Sequence, residues 1–159
     1  MTKRITMAAA TAGHAEGGSS LNAFDHALLV AGIGNINLIK VSSIVPPDVT
    51  IIDLPKIRPG ALIPTAYAAI TSETPGETIA AAVGYALPDD PAKNGVIMEF
   101  HGVGTQAEAE RAIDAMLAEA FRMRGETIHE QRIFAAEHRV ERIGCALAAM
   151  ILLGEEDLL

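Results

Sequence analysis

One segment of the chain predicts a long helix with a single apolar face. Thr105 and Glu108 have the spacing of a capping box, and Gly125 provides a helix stop. The apolar residues between them recur every three or four positions; they are Ala109, Ile113, Met116, Leu117, Ala120 and Phe121. Such a helix must bury its apolar face against another layer. Half of the 159 residues are hydrophobic but only 4% are aromatic, which favours helices packed on sheet in a single mixed α/β domain.

The amino-terminal half reads as strand, helix and strand. Residues 5–10 are apolar and predict a first strand, and the glycine-rich residues 13–20 predict a loop. Apolar residues at helical spacing from Leu21 to Ala31 predict a helix that begins at Ser20 and stops at Gly32. Branched side chains then favour a strand over residues 36–45, which contains the Ser42-Ser43 pair and ends at two prolines.

The carboxy-terminal half is expected to alternate strands and helices. Residues 62–72 predict a strand, and the capping box at Thr74 to Glu77 predicts a helix that ends at Pro88. Residues 95–102, bounded by glycines, predict a strand that carries Glu99. Residues 127–153 fit either strand or helix, and two strands are favoured because Gly144 interrupts a helical pattern.

Charge and composition argue against several kinds of partner. The formal net charge is -8 and the pI is about 5.0, and no cluster of Lys and Arg is present to bind nucleic acid. The acidity either serves solubility alone or favours a cationic small molecule. The longest apolar run, residues 145–153, is much shorter than the roughly 20 residues that span a bilayer. Because this run is too short to span a membrane and the amino-terminal apolar run is too short for a signal peptide, we expect a cytoplasmic protein without a membrane partner. The single cysteine, Cys145, excludes an internal disulfide and is either a buried apolar side chain or, less favoured, a nucleophile.

Four features could carry chemistry, although none is specific alone. They are the Ser42-Ser43 pair, the Gly32-Ile33-Gly34-Asn35 turn, Glu99 and Asp25. A serine pair near a strand end is usually a turn element, and the turn lacks the further glycine or lysine of a nucleotide site. The five histidines show no metal-ligand spacing, so no metal is expected.

Read together, segments along nearly the whole chain resemble the pyruvoyl-dependent arginine decarboxylase family. The resemblance is most specific between Gly32 and Pro47, around the serine pair. The matching segments are 21–25 (LNAFD), 31–39 (AGIGNINLI), 41–47 (VSSIVPP), 60–67 (GALIPTAY), 75–79 (PGETI), 95–99 (GVIME), 123–125 (MRG) and 136–146 (AEHRVERIGCA).

The resemblance implies a four-layer αββα sandwich, assembled as a trimer or a hexamer with active sites between subunits. It also implies that the Ser43 hydroxyl attacks the Ser42 carbonyl and that the chain splits into a β chain, 1–42, and an α chain, 43–159. Ser43 would become a pyruvoyl group, a covalent cofactor that requires neither metal nor pyridoxal phosphate and that forms a Schiff base with the substrate.

The resemblance assigns roles to further residues. Glu99 is the expected proton donor, and its apolar neighbours favour a raised pKa. Asn37 is expected to assist cleavage or orient the pyruvoyl group, and Asp25 to bind a guanidinium through its carboxylate. The other expected substrate-binding residues are Leu21, Gly34 and Ile44.

The implied reaction converts L-arginine to agmatine and carbon dioxide, for polyamine synthesis or acid resistance. Two alternatives remain open at this point. The chain could decarboxylate another amino acid such as histidine, or it could be an uncleaved subunit without catalysis.

Overall fold

Nine β-strands, two α-helices and one short 3-10 turn make up residues 3–159, which a computed structural model of the chain describes. The strands are β1 (Met7–Glu16), β2 (Asn37–Lys40), β3 (Ile44–Val45), β4 (Thr50–Ile51), β5 (Leu62–Ser72), β6 (Thr78–Pro88), β7 (Gly95–Val103), β8 (Ile128–Arg139) and β9 (Gly144–Leu153). The helices are α1 (Ser20–Val30) and α2 (Gln106–Arg124), and the 3-10 turn is Glu155–Asp157.

The strands form two sheets that pack face to face. The first sheet has the order β2-β5-β9-β1-β4, and the second has the order β3-β7-β6-β8. Apolar side chains such as Val83, Ile97 and Met150 fill the space between the sheets. Helix α1 covers the outer face of the first sheet, and α2 covers the outer face of the second. The predicted single-domain αββα sandwich is therefore confirmed.

The prediction of a helix over residues 74–88 is wrong. Residues 74–77 form a turn in which Gly76 has a φ of 85° and the Glu77 N–H donates to the Thr74 carbonyl. The residues that follow form β6, which pairs with β7 on one side and β8 on the other. A strand buried on both faces carries apolar residues at every position, so its sequence has no period of two, and pairing on both sides outweighs the helix preference of its alanines.

The amino-terminal elements differ in detail from expectation. Strand β1 continues through Glu16, so the first half of the predicted loop at 13–20 is strand. Ser19, rather than Ser20, caps α1 by accepting from the Asn22 N–H. The strand predicted over residues 36–45 is split into β2 in the first sheet and β3 in the second. The serine pair therefore lies in the connection between two sheets.

The strongest patterns in the sequence have the expected structures. Helix α2 has the predicted capping box, and Gly125 ends it in a left-handed conformation with a φ of 65°. The ambiguous residues after Thr127 form two strands, β8 and β9. No helix within residues 3–159 is both long and apolar enough to cross a membrane.

Candidate active site

The chain passes from the first sheet to the second at Ser42 and Ser43. Before this crossing, the Val41 N–H donates to the Thr65 carbonyl of β5 at 3.1 Å. After it, the Ser43 carbonyl accepts from the Ile97 N–H of β7 at 2.7 Å. The peptide bond between the two serines is therefore held from both sides, once in each sheet.

The backbone of Ser42 is paired with neither sheet. Among residues 3–159, no backbone group is hydrogen-bonded to its N–H or to its carbonyl. Ser42 is exposed, and Ser43 is half-buried. A carbonyl that is free of sheet hydrogen bonds is open to attack by a hydroxyl and to an incoming hydrogen-bond donor. The crossing thus offers an accessible carbonyl next to a serine hydroxyl.

Glu99 lies beside this crossing, on the inward face of β7. Strand pairing sets Ile44 opposite Val96, so Ser43 lies opposite Ile97, two residues before Glu99. Alternate side chains of a strand share a face, and Ile97 belongs to the core between the sheets. Glu99 therefore faces the same interior, about 7 Å further along β7.

The carboxyl group of Glu99 is suited to carry a proton. Its Oε2 is buried and has no hydrogen-bond partner in the part of the chain that the structure describes. Burial raises the pKa of Glu99, and the positive charge of Lys40 opposes this effect without cancelling it. A carboxyl with a raised pKa remains protonated closer to neutral pH, as a general acid requires.

Of the expected substrate-binding residues, only Ile44 lies at the crossing. It follows Ser43 directly in β3 and is 39% exposed. Leu21 and Asp25 lie one turn apart on the exposed side of α1. Gly34 lies in the connection after α1, where a Cβ would come 2.5 Å from Leu29 Cδ2. Within one chain, the first sheet separates α1 from the interior that Glu99 faces.

Asn37 lies at the far end of β2 from the crossing. Its Nδ2 donates to the Gly60 carbonyl at 3.3 Å. The extended chain between Asn37 and Val41 spans about 13 Å. The structure therefore does not bring Asn37 to the Ser42-Ser43 bond of its own chain, and its role in cleavage stays a prediction.

A separate group of titratable side chains lies between β1 and β8, across the sandwich from the crossing. His138 bonds to Glu16 through Nε2 at 2.5 Å and to His14 through Nδ1 at 2.8 Å. The Glu16 carboxylate also accepts the N–H groups of Arg142 and Ile143. Burial would raise the pKa of Glu16, but His138 and the backbone donors lower it overall. This group connects β1 to β8 and to the turn before β9, and it is not part of the crossing.

A comparison with family models decides the family. The model described as pyruvoyl-dependent arginine decarboxylase (PvlArgDC) matches residues 7–157. The chain belongs to this family. A pyruvoyl-dependent family implies a covalent pyruvoyl group, and the crossing fits one. Within residues 3–159, the Ser42 carbonyl next to Ser43 has no backbone hydrogen-bond partner, and the buried Oε2 of nearby Glu99 has none either.

Relatives of the family are similar over most of their length. The pyruvoyl-dependent arginine decarboxylase of Methanocaldococcus jannaschii is 51% identical over 141 residues, covering 89% of this chain and 86% of the relative. That of Pyrococcus abyssi is 44% identical over 153 residues, covering 94% of each. The solved structure of a pyruvoyl-dependent histidine decarboxylase at pH 8 has a TM-score of 0.52 at 21% identity, covering 61% of this chain and 52% of that one. That likeness concerns the fold alone.

One charged residue near the crossing was not identified from the sequence. Lys40, two residues before the serine pair, was given no role, although it is the cation that acts on Glu99. The available signal was a single basic residue close to the serine pair in an acidic chain. Its proximity to Glu99 depends on how β2 and β7 are placed in two different sheets.

Proposed function

We propose that this chain cuts itself between Ser42 and Ser43 and then, as a pyruvoyl-dependent decarboxylase, converts L-arginine to agmatine and carbon dioxide. The main support for the proposal is the position of the serine pair, which lies where the chain crosses between the two sheets, beside Glu99. The chain also belongs to this family. The relatives named above are about 50% identical and carry the name of the same activity. Agmatine, rather than the amine of histidine, is the expected product.

The geometry of the crossing supports self-cleavage. The Ser43 hydroxyl adds to the Ser42 carbonyl, and an ester replaces the peptide bond. Elimination across Ser43 releases residues 1–42 with a free carboxylate and leaves a dehydroalanine at position 43. Addition of water and loss of ammonia convert this residue to the pyruvoyl group. Sheet hydrogen bonds hold both sides of the crossing, so the hydroxyl and the carbonyl stay close.

The residues around the crossing have defined tasks in decarboxylation. The pyruvoyl group supplies an electrophilic carbonyl for the substrate amine and an electron sink for the departing carboxylate. Glu99, half-buried and without a hydrogen-bond partner for Oε2 among the described residues, returns a proton to the substrate carbon. Ile44 borders the substrate from β3. The interior of the sandwich excludes water from this region.

Asp25 and Leu21 are proposed to bind the guanidinium end of arginine. A carboxylate matches the planar donors of a guanidinium. Both side chains are exposed on α1, and the first sheet separates them from Glu99 in the same chain. We therefore propose that a second copy supplies this helix surface to the crossing, in a trimer or a hexamer.

Exposed apolar surface near the crossing supports such an assembly. Beyond Ile97, the edge of β7 that faces away from β6 has no strand partner within residues 3–159. Phe100 and Val103 on this stretch are 36% and 67% exposed, and Ile39 on the edge strand β2 is 47% exposed. Unpaired strand edges with apolar side chains are typical of surfaces that another chain covers. A cytoplasmic location, and the absence of nucleic-acid and membrane partners, stay predictions from the sequence.

Intact mass spectrometry tests the cleavage, with a Ser43→Ala variant as the control. We expect two fragments that meet at Ser42-Ser43, the larger blocked by a pyruvoyl group, and an uncut variant. Agmatine release from arginine, with histidine as the comparison substrate, then tests the reaction. A wild-type chain that remains full-length would refute the proposal and favour a non-catalytic subunit.

Mixing two impaired variants, assayed at arginine concentrations well below the KM of Asp25→Asn, tests the shared site. Asp25→Asn keeps an intact crossing, and Glu99→Gln keeps an intact α1 surface. If sites form between copies, co-assembly in equal amounts restores up to about a quarter of the sites. Mixtures with no more activity than the average of the separate variants, in oligomers shown to contain both, would place the whole site in one chain.

A further inference from the structure

Two histidines meet on the side of the sandwich formed by β1 and β8. His14 on β1 and His138 on β8 belong to different sheets, and their Nδ1 atoms lie 2.8 Å apart. Beyond Ala8, the edge of β1 that faces away from β9 has no strand partner within residues 3–159, and β8 pairs with β6 on one edge. The histidine contact therefore joins two strands that are not paired with each other.

Glu16 holds one of the two histidines in place. Glu16 and His14 are two residues apart on β1, so their side chains share the face that looks toward β8. His138 Nε2 lies 2.5 Å from Glu16 Oε2, and the His138 side chain is only 11% exposed. The Glu16 carboxylate also accepts N–H groups of the turn before β9. A bond through Nε2 leaves the Nδ1 of His138 to contact His14.

The strand β9 packs closely against the bond between Glu16 and His138. A Cβ on Gly144 would lie 2.6 Å from Glu16 Oε2 and 2.7 Å from His138 Nε2, closer than real Cβ contacts. Gly144 is also paired directly with Glu16 in the first sheet. Because this bond is enclosed and His14 is exposed, His14 is the side chain that is free to turn into solvent.

The contact between the two imidazoles depends on a single proton. One Nδ1 must donate and the other must accept, because the hydrogen bond contains one N–H. When both rings are protonated, each Nδ1 is a donor, so the bond is lost and two positive charges repel each other. Burial and the charge of His138 lower the pKa of His14. The folded chain therefore accepts the second proton less readily than the unfolded chain.

Further charged groups surround the pair on neighbouring elements. They are Glu137 and Arg139 on β8, Glu141 and Arg142 in the turn before β9, His26 on α1 and Glu77 before β6. Glu137 raises the pKa of His14 and only partly offsets the lowering. The His26 ring contacts the Glu16 carbonyl, and the Glu77 carboxylate accepts a serine hydroxyl of β5. The uncharged residues next to the pair on β6 and β9 are Ile79, Gly144 and Ala146.

We propose that His14 and His138 form an acid-sensitive clasp between the two sheets, closed when one proton lies between the imidazoles and open when both rings are protonated. Opening releases β1 just before the turn that leads into α1. If the chain is cut as proposed above, the clasp also joins the two fragments, because His14 precedes the cut and His138 follows it. Only this last consequence rests on the proposed cleavage.

The clasp makes stability depend on pH in a defined direction. Because the pKa of folded His14 is lowered from 6.5, the unfolded chain binds a proton below that pH that the folded chain does not. The stability that the clasp contributes is present above pH 6.5 and is lost as the pH falls to the folded pKa. Over this interval the equilibrium constant for unfolding rises by up to about tenfold for each pH unit.

Urea unfolding of full-length chains between about pH 7.5 and 5 tests the clasp. A Ser43→Ala background keeps the chain in one piece, so the test does not depend on self-cleavage. The unfolding constant of this parent should rise more steeply with falling pH than that of the same chain with His14→Gln, which keeps an amide donor but does not titrate. His101→Gln, which removes an exposed histidine of β7, is the matched control and should keep the slope of the parent. Equal slopes in the parent and His14→Gln would overturn the inference.

Nitrogen-15 NMR of the histidine rings gives a second readout that does not involve unfolding. The His14 signal is assigned by its loss in His14→Gln. Its titration midpoint should lie below 6.5 in the parent, and His138→Gln, which removes the partner, should move it upward. A His14 midpoint that His138→Gln leaves unchanged would also overturn the clasp. Either failure leaves the decarboxylase proposal intact, and a wild-type chain that is never cut leaves the clasp between the sheets intact.

Discussion

Two adjacent glycines before α1 provide a matched pair of substitutions. A Cβ on Gly17 would lie 2.3 Å from the Ala23 nitrogen and 2.6 Å from the Asn22 carbonyl carbon, whereas a Cβ on Gly18 would meet nothing within 4 Å. Neither glycine has a positive φ, so the difference concerns space alone. In Gly17→Ala, the distance between the new Cβ and the Ala23 nitrogen must increase from 2.3 Å to at least 3.0 Å, so the helix backbone must shift by 0.7 Å. Overpacking of this kind costs about 1–3 kcal/mol.

Urea unfolding and thermal unfolding of the two variants measure this cost. We expect Gly17→Ala to lower Tm by about 2–4 °C for each kcal/mol lost. Gly18→Ala should be neutral or more stable by up to about 1 kcal/mol, because alanine restricts the unfolded chain. Since the displaced turn leads into Leu21 and Asp25, Gly17→Ala should also raise KM for arginine. Equal stability of the two variants would refute the packing argument.

Three further substitutions have defined outcomes. Glu99→Gln should lower kcat by about 100- to 10,000-fold in enzyme that mass spectrometry shows to be cleaved, and an unchanged kcat would contradict its role as the acid. Asp25→Asn should raise KM for arginine by about 10- to 100-fold, the value of a charged hydrogen bond, and should affect a neutral analogue such as citrulline much less. Because the pKa of folded Glu16 is lowered from 4.5, its contribution to stability is present above that value and lost as the pH falls through the folded pKa. Glu16→Gln should therefore cost about 1–3 kcal/mol in urea unfolding at pH 7, and this cost should fall steadily as the pH is lowered below 4.5. A cost that does not change with pH over this range would count against the carboxylate contacts of Glu16 as the cause.

Most of the fold follows from local patterns in the sequence. The capping box at Thr105 and the stop at Gly125 define α2 because both act within a few residues of chain. The wrong prediction at residues 74–88 has the same origin, because the sequence pattern of a capping box also occurs in a tight turn. In this turn the Ser72 hydroxyl donates to the Glu77 carboxylate, and no capping box forms within residues 74–77. Only pairing with β7 and β8, far along the chain, makes β6 a strand.

The candidate site is less predictable because it depends on how two sheets are joined. The strand preferences of the individual residues predict one continuous strand through the serine pair. In the structure, β2 and β3 belong to different sheets. The family resemblance identified Ser43 and Glu99, and strand pairing places Glu99 about 7 Å along β7 from Ile97, the residue opposite Ser43. The effect of the Lys40 charge on the pKa of Glu99 has no signature in sequence spacing, because the two residues lie on β2 and β7, in different sheets.

A cut at Ser42-Ser43 would divide one polypeptide into two chains that must fold together. Strand β1 lies inside the first sheet and pairs over its whole length with β9, and β2 pairs with β5. Both strands that precede the cut are therefore hydrogen-bonded to strands that follow it. The fragments would stay together in the native state, yet once unfolded they would have to meet again by diffusion. The precursor refolds at a rate independent of its concentration, whereas recovery of the mature enzyme would slow with dilution. Each working enzyme would then depend on a chain that folded before it was cut, and dilute enzyme that unfolds would be replaced by new synthesis rather than repaired.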